Sequence, residues 1–253
     1  MTTDAQWWRT YFDDIFFRLH DPLFTETASR REVAAIRELL ALPVDARILD
    51  VPCGWGRHTA LFAEAGLRAF GADISTDLLA HAEPGRRPRS AHYAAADVRM
   101  LPYADASFDA VINVFTSLGL FLDDAEDIRA LAEARRVLAP GGALLLESMH
   151  RDEVIAAYAE RDRWRLPDGT EIRVRRRFDP VTGISHERWL WRSGDGREQG
   201  EKRHALRLRT ATEIDGLLRA AGFRAITYYG DWDGSPLTYD AERLIAVARR
   251  EDG

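Results

Sequence analysis

One short segment, Asp50-Val51-Pro52-Cys53-Gly54-Trp55-Gly56, sets a carboxylate beside two closely spaced glycines. Gly54 and Gly56 let the backbone turn tightly and approach a ligand, because no side chain stands between. Asp50 suits a cationic ligand better than a pyrophosphate. Asp73 lies where an acidic residue ending a second strand grips the two hydroxyls of a ribose. Asn113 and Phe115, closing a fourth strand, face the same crevice. The chemistry implied is the binding of a positively charged, ribose-bearing molecule. For proton transfer the first candidate is His150, just past a fifth strand, with Glu147 as the alternative. Each has a plainer reading: His150 as an exposed loop histidine, Glu147 as a buried group whose hydrogen bond fixes a loop. His58 is expected to pack beside the glycine turn. His186 and His204 sit on later alternating segments, as pocket residues or as polar residues of half-exposed strands.

These residues need elements to position them. Trp7, Trp8, Tyr11, Phe12, Ile15, Phe16 and Leu19 recur at helical spacing, and Pro22 interrupts the pattern. Ser29 is the expected N-cap of a second helix ending before Pro43. Residues 47–51 read as a strand before the glycine turn, 58–65 as a helix, 67–72 as a strand, and 75–82 as a helix capped by Ser75. A Pro- and Arg-rich loop, 84–89, precedes a short strand at 92–95. Residues 108–115 are a strong strand. A long helix capped by Asp123 or Asp124 runs to Leu138, and Pro140-Gly141-Gly142 turns into a strand at 143–148. Alternating strands and helices predict an α/β, doubly wound, Rossmann-like mixed sheet of seven strands. After a helix at 152–159, period-two alternation predicts an antiparallel insertion of about three strands, from 172 to 209. Thr212 to Ala221 returns to helix, and strands at 225–229 and 243–247 complete the core. The boundaries expected are a helical lid (1–45), the cofactor-binding core (46–150), a substrate-side insertion (151–210) and the completion of the core (211–253).

The bulk properties narrow the class. A net charge of −6 over 253 residues argues against a general nucleic-acid binder. No apolar stretch approaches the ~20 residues that span a bilayer. No signal segment is seen at the start, and Cys53 is the only cysteine, so a reducing, cytoplasmic setting is expected. Arg173, Arg175, Arg176 and Arg177 invite an anion-site reading, but alternation puts three of them on one strand face, expected to meet water. The loop from Asp231 to Pro236 lacks the terminal Glu of a calcium site, so no metal is predicted; Asp231, Trp232 and Asp233 are candidates to border an acceptor pocket.

The order of the Asp50–Gly56 turn with Arg57 and His58, then Gly71-Ala72-Asp73-Ile74-Ser75, Ala96-Asp97-Val98, Phe108 to Phe115 and Leu138 to Gly142 resembles the class I S-adenosylmethionine-dependent methyltransferases. The resemblance implies that Asp50, Cys53, Gly54 and Gly56 surround the methionine part of S-adenosylmethionine. It implies that Asp73 binds the ribose, that Ile74 packs on adenine, that Asp97 and Val98 contact adenine, and that Asn113 lies near the sulfonium, with Phe115 beside it. Tyr11, with Trp7, Trp8 and Phe12, is expected to close over the cofactor as a lid or to pack as an amphipathic helix. The insertion is similar to that of small-molecule methyltransferases. The expected function is methyl transfer to nitrogen or oxygen of a small molecule, by a monomer or homodimer without nucleic-acid or membrane partners. The rivals are a NAD-dependent oxidoreductase and a non-catalytic S-adenosylmethionine-binding protein. Against the first, Thr59 stands where the dinucleotide fingerprint needs a third glycine.

Overall fold

The computed structural model describes residues 6–82 and 91–251; the Pro- and Arg-rich loop lies outside them. The chain opens with helices α1 (Trp8–Tyr11) and α2 (Asp14–His20), a 3-10 turn (Asp21–Leu23) and α3 (Glu26–Leu39). The single helix expected over the first aromatic stripe is broken at Phe12. Asp13 ends the first piece and caps the second, its carboxylate accepting the Phe16 N–H at 2.8 Å. Helical periodicity survives such a break, so the spacing alone did not reveal it. The cap of α3 is Thr25, not Ser29, which lies inside the helix and is buried.

Strand β1 (Arg47–Asp50) leads through the glycine turn into α4 (Arg57–Glu64). Then come β2 (Arg68–Asp73), α5 (Thr76–His81), β3 (Ala91–Ala95), β4 (Phe108–Asn113), α6 (Asp124–Val137) and β5 (Leu138–Met149). Helix α7 (Arg151–Ala156) precedes β6 (Arg161–Arg165), β7 (Glu171–Asp179), β8 (Ile184–Arg192) and β9 (Gln199–Arg207); α8 (Ala211–Ala220), β10 (Ala225–Tyr229) and β11 (Arg243–Arg249) finish the chain. The seven-stranded sheet has the order β10-β11-β5-β4-β1-β2-β3. Strands β1 to β5 are parallel, while β11 runs antiparallel to both its neighbours. Its central strands are apolar on both sides, as a sheet covered on both faces requires; Ile48, Leu49, Val111 and Ile112 are fully buried. Chain order reverses between β1 and β4. Open α/β sheets bind ligands outside the carboxyl ends of the strands at that point.

The insertion is a four-stranded antiparallel sheet, β6-β7-β8-β9, one strand more than expected. The extra strand is β6, whose sequence Arg-Asp-Arg-Trp-Arg has only Trp164 to mark a buried side. Strict alternation gives this sheet two unlike faces. The inner face carries Trp164, Ile172, Val174, Trp189 and Trp191, packed against Leu19 of α2. The outer face carries Arg161, Arg163 and Arg165 on β6, and Arg173, Arg175 and Arg177 on β7. Arg188, Arg192 and Arg203 continue it on β8 and β9. Arg176 points inward, as the alternation implied.

Candidate active site

The carboxyl ends of β1, β2 and β4 open into a cavity of about 610 Å³. Its floor is the turn after β1. Gly54 and Gly56 take left-handed conformations, φ +56° and +76°, and Gly56 is the N-cap of α4. The backbone of Gly54 is fixed by Asp73, whose Oδ2 accepts the Gly54 N–H at 2.7 Å while Oδ1 accepts the Ser75 N–H at 2.8 Å. Asp50 accepts the Thr59 hydroxyl at 2.7 Å. Thr59, at the position where a third glycine was sought, is thus fully buried and used as a hydrogen-bond donor. Gly71 permits this packing. A Cβ there would lie 2.8 Å from Thr59 Oγ1 and 2.9 Å from Cys53 Sγ.

Asp50 and Asp73 are both buried and line the cavity, and neither forms a salt bridge among the described residues. Burial pushes both carboxyls above their usual range, Asp73 further raised by the nearby Asp50. A positive ligand would repay that desolvation. Asn113 supplies a second sign of a missing partner. Its amide donates to the Val51 carbonyl at 3.0 Å, which fixes its orientation, and leaves Oδ1 buried without a partner among the described residues. The indole N–H of Trp7 is likewise buried and unpaired there. Both residues line the cavity. A buried polar atom without a partner costs about 1–3 kcal/mol, so a ligand offering complementary groups fits. The residues present therefore suit S-adenosylmethionine, whose ammonium and sulfonium are cations and whose ribose and adenine bring donors and acceptors.

The aromatic residues of the first helices both pack together and line the cavity. Trp7, Trp8, Tyr11 and Phe16 form a buried cluster with Leu78, against Ile74, Leu120 and Phe121. Ile74 and Val98 line the cavity. Asp97 lines it too, but its carboxylate is held by Arg99 through contacts of 2.9 and 2.5 Å. The guanidinium keeps this carboxyl below its usual range. Arg99 also reaches Glu126 at 2.6 Å and lies over the rings of Trp8 and Phe121. Any contact of Asp97 with an adenine amino group has to use lone pairs that Arg99 leaves free. Cys53 and Phe115 line the cavity, whereas Gly56 lies behind it, against Tyr93.

Neither residue expected to act as a base lines the cavity. Glu147 accepts the Phe115 N–H at 2.6 Å and the Arg243 guanidinium at 3.0 Å. It holds a turn in which Phe115 and Thr116 both have positive φ, +63° and +55°. This is the plainer, loop-fixing reading of Glu147. His150 is buried rather than exposed, its Nδ1 3.0 Å from the Ala241 carbonyl. Position at a strand end did not disclose where either side chain points. Asp231, Trp232 and Asp233 do not border the cavity either: Arg243 pairs with Asp231 and covers Trp232. His58 packs as expected, 2.7 Å from Glu32.

Two titratable residues that do line the cavity come from the first helices and the insertion. The Tyr11 hydroxyl is 2.9 Å from Nδ1 of His204 on β9, and both line the cavity. Burial pushes the Tyr11 hydroxyl far above its usual range and holds His204 below its own. Tyr11 is therefore protonated and His204 neutral near pH 7. Behind them Glu187 lies 3.7 Å from His204 Nε2, and is fixed by Arg176 at 3.0 Å and the Trp189 indole at 2.9 Å. His186 lies on the outer face. The even spacing of Glu187 and Trp189 on β8, facing His204 across the ladder, was the available signal for this cluster.

Residues 48–142 match the family model described as a methyltransferase domain. The chain is 36% identical over 143 residues to the demethylmenaquinone methyltransferase of Renibacterium salmoninarum. It is 32% identical over 126 residues to the malonyl-[acyl-carrier protein] O-methyltransferase of Enterobacter lignolyticus. The matched stretches cover 53% and 49% of this chain and 55% and 47% of those proteins, so the chain spans about half the length of these curated relatives. Similarity over nearly the whole chain comes from solved structures. The CcbJ methyltransferase of Streptomyces caelestis superposes with a TM-score of 0.82 at 18% identity, covering 96% of this chain and 99% of that one. CalS10 of Micromonospora echinaspora, an amino pentose methyltransferase solved with S-adenosylmethionine bound, gives 0.70 at 27% identity, covering 94% and 97%. Residues 48–142 thus carry a methyltransferase domain, and the chain as a whole has the fold of solved S-adenosylmethionine-dependent methyltransferases.

Proposed function

We propose that this protein transfers the methyl group of S-adenosylmethionine to a nitrogen or oxygen of a small molecule held between the lid and the inner face of the insertion sheet. One observation carries the reading. A single cavity has the Asp50, Asp73 and Asn113 cradle on one side and Trp164, Glu187, Trp189 and His204 on the other, with Tyr11 between them. The likeness to an amino pentose methyltransferase over nearly the full chain supports a small-molecule acceptor. In this reading residues 1–45 are the lid, 46–150 and 211–253 the core, and 151–210 the acceptor side. The buried single cysteine, Cys53, fits a reducing, cytoplasmic setting.

The division of labour follows from the geometry. S-adenosylmethionine supplies, when bound, a methyl group on a good leaving group. Asp73 binds the ribose, Asn113 Oδ1 accepts from the methionine end, and the aromatic lid excludes water. Orientation of this kind is worth about 7–11 kcal/mol in favourable cases. Tyr11 and His204 manage the acceptor's proton. As the acceptor nitrogen or oxygen gains the methyl, its proton passes to the Tyr11 oxygen while the Tyr11 proton passes to His204 Nδ1. The imidazolium so formed faces Glu187.

The test is transfer of labelled methyl from S-adenosylmethionine to a panel of small amines and alcohols, run beside melting of the protein with S-adenosylhomocysteine and with NAD. Transfer to at least one acceptor and stabilisation by S-adenosylhomocysteine support the reading. Stabilisation by NAD alone refutes it.

A further inference from the structure

The outer face of the insertion sheet is the least explained surface of the molecule. Inside its margin, where Asp179, Ile184 and Arg207 stand in one row, it carries nine arginines and two acidic residues, Glu171 and Glu201, in a chain whose overall charge is −6. Eight of the nine are exposed, only Arg188 being half-buried. The two carboxylates are shared. Glu171 serves Arg163, Arg165 and Arg173, and Glu201 serves Arg188 and Arg203. Arg161, Arg175, Arg177 and Arg192 form no salt bridge among the described residues.

The ladder makes this arrangement costly. Arg161 stands directly opposite Arg175, Arg163 opposite Arg173, Arg175 opposite Arg188, and Arg188 opposite Arg203. Like charges directly across an antiparallel pair destabilise it. A protein with more acidic than basic residues has carboxylates to spare, yet places almost none here. Features that break a local rule at a cost in stability mark functional surfaces.

The chemistry of the face selects the occupant. It bears no Trp, Tyr or Phe, because every aromatic of these strands points inward. Single-stranded nucleic acid needs such rings to stack upon. Leu190 and, at the margin, Ile184 are its large apolar side chains, too few for insertion into a bilayer. A twofold pairing of two copies through this face would set arginine against arginine. Long polyanions would also run past the patch onto the more acidic remainder of the molecule. A compact surface of carboxylates meets none of these objections, since guanidinium groups bind carboxylates through paired hydrogen bonds.

We propose that the outer face of the insertion sheet docks an acidic protein surface. The partner would then sit on the back of the same sheet whose front carries Glu187, Trp189 and His204.

The test uses the full chain and a fluorescein-labelled oligoglutamate peptide as the probe. Single-stranded and duplex DNA of equal charge and phosphatidylglycerol vesicles are the competitors. We expect the peptide to bind, more weakly as salt rises, because screening sets in over about 10 Å at 0.1 M. The double variant Arg173→Glu/Arg175→Glu should bind it at least about tenfold more weakly, a change worth 1.4 kcal/mol. The same variant should melt at a higher temperature, because it replaces three of the four repulsive pairs by attractive ones. Unchanged peptide affinity in the variant overturns the proposal. So does tighter binding of DNA or vesicles than of the peptide, or self-association of the wild-type chain that the variant abolishes.

Discussion

Tyr11 and His204 carry the proposed proton transfer, and both are tuned by burial in opposite senses. Removing only the hydroxyl, by Tyr11→Phe, preserves the ring that packs against Phe16. It should lower kcat by about a hundredfold to ten-thousandfold, the usual worth of acid–base help, with little change in S-adenosylhomocysteine affinity. The wild-type rate should also fall at acid pH as His204 gains a proton and stops accepting one from Tyr11. An acid limb that persists in Tyr11→Phe would assign that titration to another group. His20 gives a separate signature, in stability. It is stacked between Phe16 and Trp189, and burial lowers its pKa from 6.5 to about 4. The folded state therefore binds a proton less readily than the unfolded chain. Stability is intact above pH 6.5 and falls by on the order of 3 kcal/mol as the pH drops toward 4. Denaturant midpoints measured across that window, in the wild type and in His20→Leu, test this: the variant should lose less.

At the scale of elements, what was legible in the sequence is what local pattern controls. The glycine turn, Asp73 closing β2, the Asp123 and Ser75 caps, and the helix α8 all depend on residues within a few positions. What was illegible depends on contacts between distant segments. The pair proposed to handle the proton joins Tyr11 to His204, and β6 exists because Arg161 to Arg165 pair with β7, not because those residues favour a buried strand. Glu147 shows the same limit. Its strand was foreseen, but its partners are Phe115 on the neighbouring strand's end and Arg243 on β11. Glu147→Ala removes the acceptor for a backbone N–H in a turn that φ values of +63° and +55° already strain. We expect a loss of about 1–3 kcal/mol, seen as a lower melting temperature, together with weaker S-adenosylhomocysteine binding because Phe115 and Thr116 line the cavity. Glu147→Gln, which keeps an acceptor, should recover much of both.

For the whole molecule, the first two helices, the proposed lid, are the piece that connects the two halves of the cavity. Toward the core, the Phe12 carbonyl accepts from Ser75 at 2.5 Å and Asp14 lies 2.7 Å from His81. Toward the insertion, Lys202 reaches Asp13 at 2.6 Å and sits over the Tyr11 ring, and Arg18 pairs with Glu198 at 2.8 Å. The first set of ties is to the cofactor side and the second to the acceptor side. The helices are too short to be stable alone, so these contacts hold them. Cofactor and acceptor binding should then be coupled through the lid, since each ligand orders a surface the other also needs. Hydrogen exchange checks this. S-adenosylhomocysteine should slow exchange across residues 8–23. Lys202→Ala should speed exchange there, with or without S-adenosylhomocysteine, and leave β1, β4 and β5 unchanged. If those strands loosen as much as the lid does, the lid is not an independent opening unit. If the lid alone responds, the variant should also weaken the effect of an acceptor on S-adenosylhomocysteine affinity, because by linkage the coupling is reciprocal and passes through the segment that Lys202 holds.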